Sequence, residues 1–283
     1  MATLRDIRDR ITAVQKTQKI TRAMKLVAAA RFARAQGAVQ AARPYAEKLR
    51  EVLGSVAAGV ESDAHALLEP RDVRRLDLVV FTSDRGLCGS FNSGVNKLAE
   101  RIAREHGPNL EEVRILPVGR KVGEYFSSRP VAKLLDGWQM LGAIDSSHSV
   151  EIAKVLMERY TSGETDRIDI VFAEFESALT QRPVSETLLP LAPETPDEIR
   201  TYEIEPDPVK MLSVLVPRAV EFTIFRALLE NQAGEHGARM TAMESATTNT
   251  EEIIRTLTID FNKARQASIT AELVEIVSGA EAL

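Results

Sequence analysis

The stretch Ser83-Asp84-Arg85-Gly86-Leu87-Cys88-Gly89-Ser90 combines small, polar and nucleophilic residues after an apolar run and before a helical pattern. α/β folds bind phosphates at such places, because the amides of a helix N-terminus point outward. The loop lacks the Lys-Ser/Thr ending of a P-loop and the G-x-G-x-x-G spacing. Gly86 and Gly89 therefore read first as permitting a tight turn, with a ligand loop as the second reading. Cys88 could act as a nucleophile near a helix dipole. A cysteine hydrolase also needs a base, and His65, His106, His148 and His236 are scattered without a signature, so a buried structural thiol is the favoured reading. The same histidines have no metal-ligand spacing. The carboxylate pairs Glu111-Glu112 and Glu251-Glu252 lie in charged, solvated stretches. Near the end of the chain, Arg265 and Gln266 supply a planar donor fork and a donor–acceptor pair. On a helix they point about 100° apart, able to grip two walls around one rod. The apolar residues Leu273, Val274, Ile276 and Val277 follow, fit for a greasy collar. The plainer alternative is an ordinary coiled-coil surface with a frayed end.

The elements that carry these residues are two long terminal helices and a smaller α/β pattern between them. Helices over Thr3 to Ala58 and Pro208 to Ser278 would reach about 80 Å and about 105 Å, longer than a domain of this size requires, so they are expected to pair with each other. In the first, Leu4, Ile7, Ile11 and Val14 recur at heptad spacing. Strict register then meets Gln18, Thr21 and Lys25, and the apolar line resumes at Ile20, Met24 and Val27, which reads as a stutter. Pro44 is expected to kink or interrupt the helix. In the last helix Asp207 and Pro208 form a start signal, Gly234 and Gly237 weaken the interior, and Met240, Met243, Ile254, Leu257, Phe261 and Ala264 keep helical spacing. In the middle, Leu76 to Thr82, Val113 to Val118, Ile168 to Phe175 and Pro183 to Leu191 read as strands, with helices after the first and second strands and over Val150 to Tyr160. This order predicts an open α/β layer domain whose last strands are antiparallel. The fold class is thus α/β with long helices: an antiparallel coiled coil of residues 1–60 and 207–283, and a Rossmann-like open α/β domain over 72–204.

Composition narrows the function. Low aromatic content, 5%, against 44% hydrophobic residues favours helix-rich packing over a β-sandwich. A single cysteine excludes an intrachain disulfide. No apolar run is long enough for a membrane span, and charges interrupt the N-terminus where a signal core would lie. Residues 1–50 carry 12 Lys or Arg against three acids, +9, which leaves −14 on the rest of a chain of net charge −5. A basic helix on an acidic chain without a nucleic-acid reader motif points to acidic protein as partner.

Three stretches carry a family resemblance: ITAVQKTQKITRAMKLVAAAR in the first helix, TSDRGLCGSFN after the first strand, and ARMTAMESATTNTEEII with FNKARQASITAELVEIVSGAEAL in the last helix. They resemble the gamma subunits of bacterial-type F-type ATP synthases, from about residue 3 to the C-terminus. The resemblance implies a central rotor shaft inside a ring of alpha and beta subunits, with the α/β domain at the foot beside the epsilon subunit and the membrane ring of c subunits. It implies a non-catalytic chain without cofactor or metal, peripheral to the cytoplasmic face of the plasma membrane, that couples c-ring rotation to ATP synthesis or hydrolysis on the beta subunits. By matching motif, Arg265 and Gln266 resemble the polar pair at the catch loop of a catalytic subunit, and Thr270 belongs to the same ITxEL motif. Met24 and Lys25 resemble residues facing an acidic lever loop of the beta subunit. Arg239 and Met240 lie in the C-terminal partner segment, and Glu205 resembles the foot near the c-ring. Epsilon contacts are not assigned. An enzyme built on the glycine loop and a passive coiled-coil scaffold are the competing readings.

Overall fold

The computed structural model describes residues 3–58, 60, 64–139, 142, 144–193 and 207–281. Its longest elements are α1 (Leu4–Ala57) and α5 (Pro208–Glu281). Thr3 and Asp6 open α1 reciprocally: the Thr3 N–H donates to Asp6 Oδ2 at 2.9 Å and the Asp6 N–H to Thr3 Oγ1 at 3.2 Å, a capping-box arrangement. The hydrogen bonds from the Thr3 backbone and hydroxyl hold the Asp6 carboxyl below its ordinary pKa. Pro44 does not end α1, which runs on to Ala57. It removes the N–H that would bond the Gln40 carbonyl, but both residues are exposed, so water can satisfy that carbonyl.

Gly234 and Gly237 do not break α5 either. A Cβ at Gly234 would come within 2.9 Å of the Phe91 ring, and one at Gly237 within 3.3 Å of the Ala178 backbone and of Phe32. Missing side chains here admit neighbours, which offsets their helical cost.

Two compact units divide the chain: residues 1–28 with 240–283, and residues 29–239. Both terminal helices thus contribute to both units. The second unit holds a five-stranded sheet of β1 (Arg75–Phe81), β2 (Glu112–Val118), β3 (Lys133–Leu134), β4 (Arg167–Phe175) and β5 (Gln181–Leu189), in the order β3-β2-β1-β4-β5. All pairings are parallel except that of β4 with β5, as the closing strands were expected to be. The two-residue β3 has no counterpart among the sequence expectations.

Strands buried on both faces read as continuous apolar runs, and β1 and β4 do so. Leu76, Leu78 and Val80 face α2 (Phe91–His106) and α3 (Arg120–Phe126), packing with Val95, Ala99 and Val122. Val79 and Phe81 face the other way, with Ile152, Leu156 and Tyr160 of α4 (Ser146–Thr161) and Leu53, Val216 and Leu228 of the terminal helices. At one end of the sheet the fully buried Asp77 accepts from Arg114 Nε at 2.6 Å and Arg159 Nε at 2.9 Å. Beside it Asp166 accepts from the backbone N–H of Arg75 at 2.8 Å and pairs with its guanidinium at 3.1 Å.

Candidate partner-binding surfaces

In the first unit the two helices run antiparallel. Arg8 lies over the Phe261 ring at 5.5 Å, the Gln18 amide donates to Glu251 at 3.2 Å, Thr21 and Thr247 share a hydroxyl–hydroxyl bond of 2.9 Å, and Lys25 pairs with Glu244. As the number rises on α1, its partner's falls by the same step. The expected stutter is absent. The inner positions Leu4, Ile7, Ile11, Val14, Gln18, Thr21, Lys25 and Ala28 keep strict 3–4 spacing, while Ile20 and Val27 are 60% and 55% exposed. On α5 the facing line is Met240, Met243, Thr247, Thr250, Ile254, Leu257, Phe261, Ala264 and Ser268, at the same spacing. The heptad is unbroken; its middle is polar. A seam may hold Thr and Gln where the opposite helix offers hydroxyl or carboxylate partners, and here it does.

The outward residues form two surfaces. One is the exposed face of α1, with Arg5, Arg8, Arg10, Lys16, Lys19 and Arg22 around the apolar Ile20, Leu26 and Val27. The other is the end of α5. In the observed register Thr3 lies opposite Gln266, so α5 beyond that point has no facing helix among the described residues. Arg265, Gln266 and Thr270 are exposed there, and Ile269, Leu273, Val274, Ile276 and Val277 are each at least 50% exposed. Thr270 Oγ1 donates to the Gln266 carbonyl at 2.9 Å. Exposed apolar residues grouped at one helix end are the kind of surface that a partner covers.

The other sequence-predicted residues are placed differently. Met24 and Met240 are half-buried, and Lys25 is committed to Glu244. Arg239 belongs to the second unit and is 9% exposed: it pairs with Glu235 at 2.7 Å and donates to the Gly86 carbonyl at 3.1 Å. Glu205 lies outside the described residues.

The glycine loop is closed on itself. The Ser83 N–H donates to Asn92 Oδ1 at 2.9 Å, and Asn92 Nδ2 donates to Cys88 Sγ at 3.2 Å. Burial pushes the Cys88 thiol up, against the nearby Arg239 charge and the Ser83 hydroxyl. A thiol so placed is a poor nucleophile. From α5, Asn231 Nδ2 donates to the Thr82 carbonyl at 3.1 Å. Asn231, Glu235 and Arg239 stand four apart and face the loop. That polar stripe, in an Ala- and Leu-rich stretch, was the available sequence signal for this contact.

Comparison with known proteins bears on these surfaces. A family model described as ATP synthase matches residues 3–283. The ATP synthase gamma chains of Desulforamulus reducens and of an Anaeromyxobacter species are 46% and 45% identical to this chain, with all of each chain covered. The chain belongs to the ATP synthase gamma-chain family. The gamma-chain fold recurs in the rotor of the Euglena gracilis mitochondrial ATP synthase, with TM-score 0.66, 18% identity, and 94% of this chain and 98% of that one covered. A central-stalk chain of the Tetrahymena thermophila mitochondrial enzyme gives a TM-score of 0.61 at 23% identity, covering 80% of this gamma chain and 99% of that one. Among the described residues no helix is long and apolar enough to cross a membrane.

Proposed function

We propose that this chain is the rotating central stalk of a proton-translocating F-type ATP synthase, carrying torque between a membrane ring of c subunits and catalytic sites on the beta subunits. The observation that carries the reading is the overhanging end of α5, where Arg265, Gln266 and Thr270 give way to an exposed apolar run. That end fits a collar of alpha and beta subunits: polar groups grip the wall and the apolar tip turns within it. The exposed cations of α1, with Met24, Lys25 and Met240 beside them, suit acidic loops of the ring. Arg239 serves as an internal anchor of the glycine loop rather than as a contact. The α/β unit, with Glu205, forms the foot on the c-ring and meets epsilon, which places the chain at the cytoplasmic face of the bacterial plasma membrane.

A turning shaft must make and break each contact repeatedly. Screened polar contacts suit that better than one large fixed apolar interface. The chemistry belongs to the ring: this chain is non-catalytic, and the buried, raised Cys88 thiol is in keeping with that. The test is reconstitution with alpha and beta subunits, followed by ATP turnover and by rotation of a bead fixed to the foot. The expected result is activation with unidirectional rotation. A complex without rotation would make the chain a passive scaffold, and absence of a complex would end the reading.

A further inference from the structure

The β1–α2 loop lines a cavity of about 500 Å³ within the second unit, bounded also by α1 and α5. Its size falls in the range of small-molecule sites, ~300–1,000 Å³. Its place in the fold is independent of that. The strand order reverses at β1: the chain goes from β1 to β2 on one side and later to β4 on the other. The crevice beyond the carboxyl ends of strands at such a switch point is where open α/β sheets hold ligands.

The lining carries a third observation. Thr82, Asp84, Asn231 and His236 all border the cavity and are 0 to 7% exposed. Each leaves a buried polar atom without a partner: Thr82 Oγ1, Asp84 Oδ2, Asn231 Oδ1 and His236 Nδ1. Elsewhere these side chains are engaged: Asp84 Oδ1 takes the Arg120 N–H at 2.8 Å, and Asn231 Nδ2 donates to the Thr82 carbonyl. Four lining residues with an orphaned atom each are costly, at ~1–3 kcal/mol per atom, unless an occupant of the cavity supplies partners. Asp84 Oδ2 and Asn231 Oδ1 are pure acceptors. Thr82 Oγ1 can donate or accept, and so can His236 Nδ1, depending on its tautomer: burial, with Arg239 and Arg31 nearby, lowers that imidazole to about 4 and keeps it neutral. The exposed lining residues are of opposite character: Arg31, Arg34 and Arg85.

We infer that this cavity binds a small phosphorylated polyol, its hydroxyls donating to the buried acceptors and its phosphate held by the exposed arginines. Hydroxyls satisfy Asp84, Asn231 and Thr82 without burying a second charge, and an arginine fork suits a phosphate. None of the residues proposed above to meet the ring lines this cavity, so the site is a separate function of the second unit.

Calorimetry on the full-length chain, with ribose 5-phosphate, ribose and inorganic phosphate as probes, tests it. Ribose 5-phosphate is expected to bind saturably and about tenfold or more tighter than phosphate, the worth of a pair of added hydrogen bonds. Thr82→Val removes an orphaned hydroxyl, so the unfolding midpoint of the free chain holds or rises while ribose 5-phosphate binding weakens. Arg34→Glu with Arg85→Glu, both on exposed side chains, weakens ribose 5-phosphate and phosphate together. Three results would each overturn the inference: no saturable binding of ribose 5-phosphate, equal binding of phosphate alone, or unchanged affinity in T82V.

Discussion

Asp77 is the residue on which the α/β unit is most exposed to a single change. Its carboxylate is fully buried between Arg114 and Arg159, whose side chains are 9% and 17% exposed. Replacing it by alanine orphans two guanidiniums in a place with little water. The loss is not at its maximum, because partners remain: Arg114 keeps the Glu164 carbonyl at 2.7 Å and Glu112 at 3.4 Å, and Arg159 keeps the Glu164 carboxylate at 2.8 Å. The low end of the range for breaking a buried pair applies, about 3 kcal/mol, or about a hundredfold in the folded-to-unfolded ratio. Trp138, the single tryptophan, lies in the same unit with its indole N–H on Glu151 at 3.1 Å, so its fluorescence follows unfolding of the sheet in urea. Asp77→Ala should lower the midpoint at unchanged slope. The triple change Asp77→Leu, Arg114→Met, Arg159→Met removes more hydrogen bonds but orphans no charge, and should cost less than Asp77→Ala. A loss under about 1 kcal/mol in the single variant, or a triple variant less stable than it, would refute the reasoning.

Asp166 gives a pH dependence of defined sign. Desolvation works to raise its pKa, but hydrogen bonds from the Arg75 side chain and from the Arg75 and Arg74 backbone outweigh it, so the folded value lies below the ordinary 3.8. Its contribution is complete above the unfolded value and is lost as pH falls through the folded one; urea midpoints of Asp166→Asn should therefore converge on the parent's at the acid end. Gly234→Ala should destabilise, its Cβ meeting Phe91 at 2.9 Å, whereas Gly237→Ala, with 3.3 Å contacts, should stay near neutral because the helical gain of about 1 kcal/mol offsets the squeeze; thermal melts compare them. Arg265→Ala with Gln266→Ala should lower ATP turnover of the reconstituted complex about tenfold at unchanged circular dichroism, since both side chains are exposed. Cys88 should resist alkylation in the native chain and react once urea unfolds it, because burial both shields and raises the thiol.

The strands were legible because burial on both faces leaves a continuous apolar run, and β1 and β4 have one. β3 was not: a two-residue strand carries no period. Pro44 misled because propensity is local, whereas a helix packed along its length tolerates one missing bond on its wet face. The seam misled for a related reason. Apolar spacing puts Ile20 and Val27 on the seam and Gln18 and Thr21 off it, whereas burial puts them the other way round. Nothing in α1 alone distinguishes these cases. The distinction lies in Thr247 and Glu251, more than 200 residues away. Of the candidate contacts, those on the overhanging end of α5 were legible as an exposed group, whereas Arg239 is inseparable from its burial against the loop.

The polar middle of the seam has a consequence for a stalk. An all-apolar seam would be more stable but would lose little by slipping one heptad, because every layer would still meet an apolar layer. Here a slip places Thr21 against Ile254 and Thr247 against Ala28, or, in the other direction, Thr21 against Met240 and Thr247 against Val14. Either way the 2.9 Å hydroxyl pair is lost. Each hydroxyl has one proton, so in the pair one of them gives up the bond to its own helix, Thr21 to the Gln18 carbonyl at 3.0 Å or Thr247 to the Met243 carbonyl at 2.7 Å. After a slip both can make that bond, and the penalty is the desolvation of two hydroxyl oxygens against apolar residues, about 1 kcal/mol in all. Lys25 adds a weaker preference, since a slipped register can still offer it Glu251. Register is thus set by a few moderate terms acting in one direction, the role buried polar residues play in coiled coils. For a pair of helices that must turn as one body under torque, a single register matters more than the stability given up to obtain it.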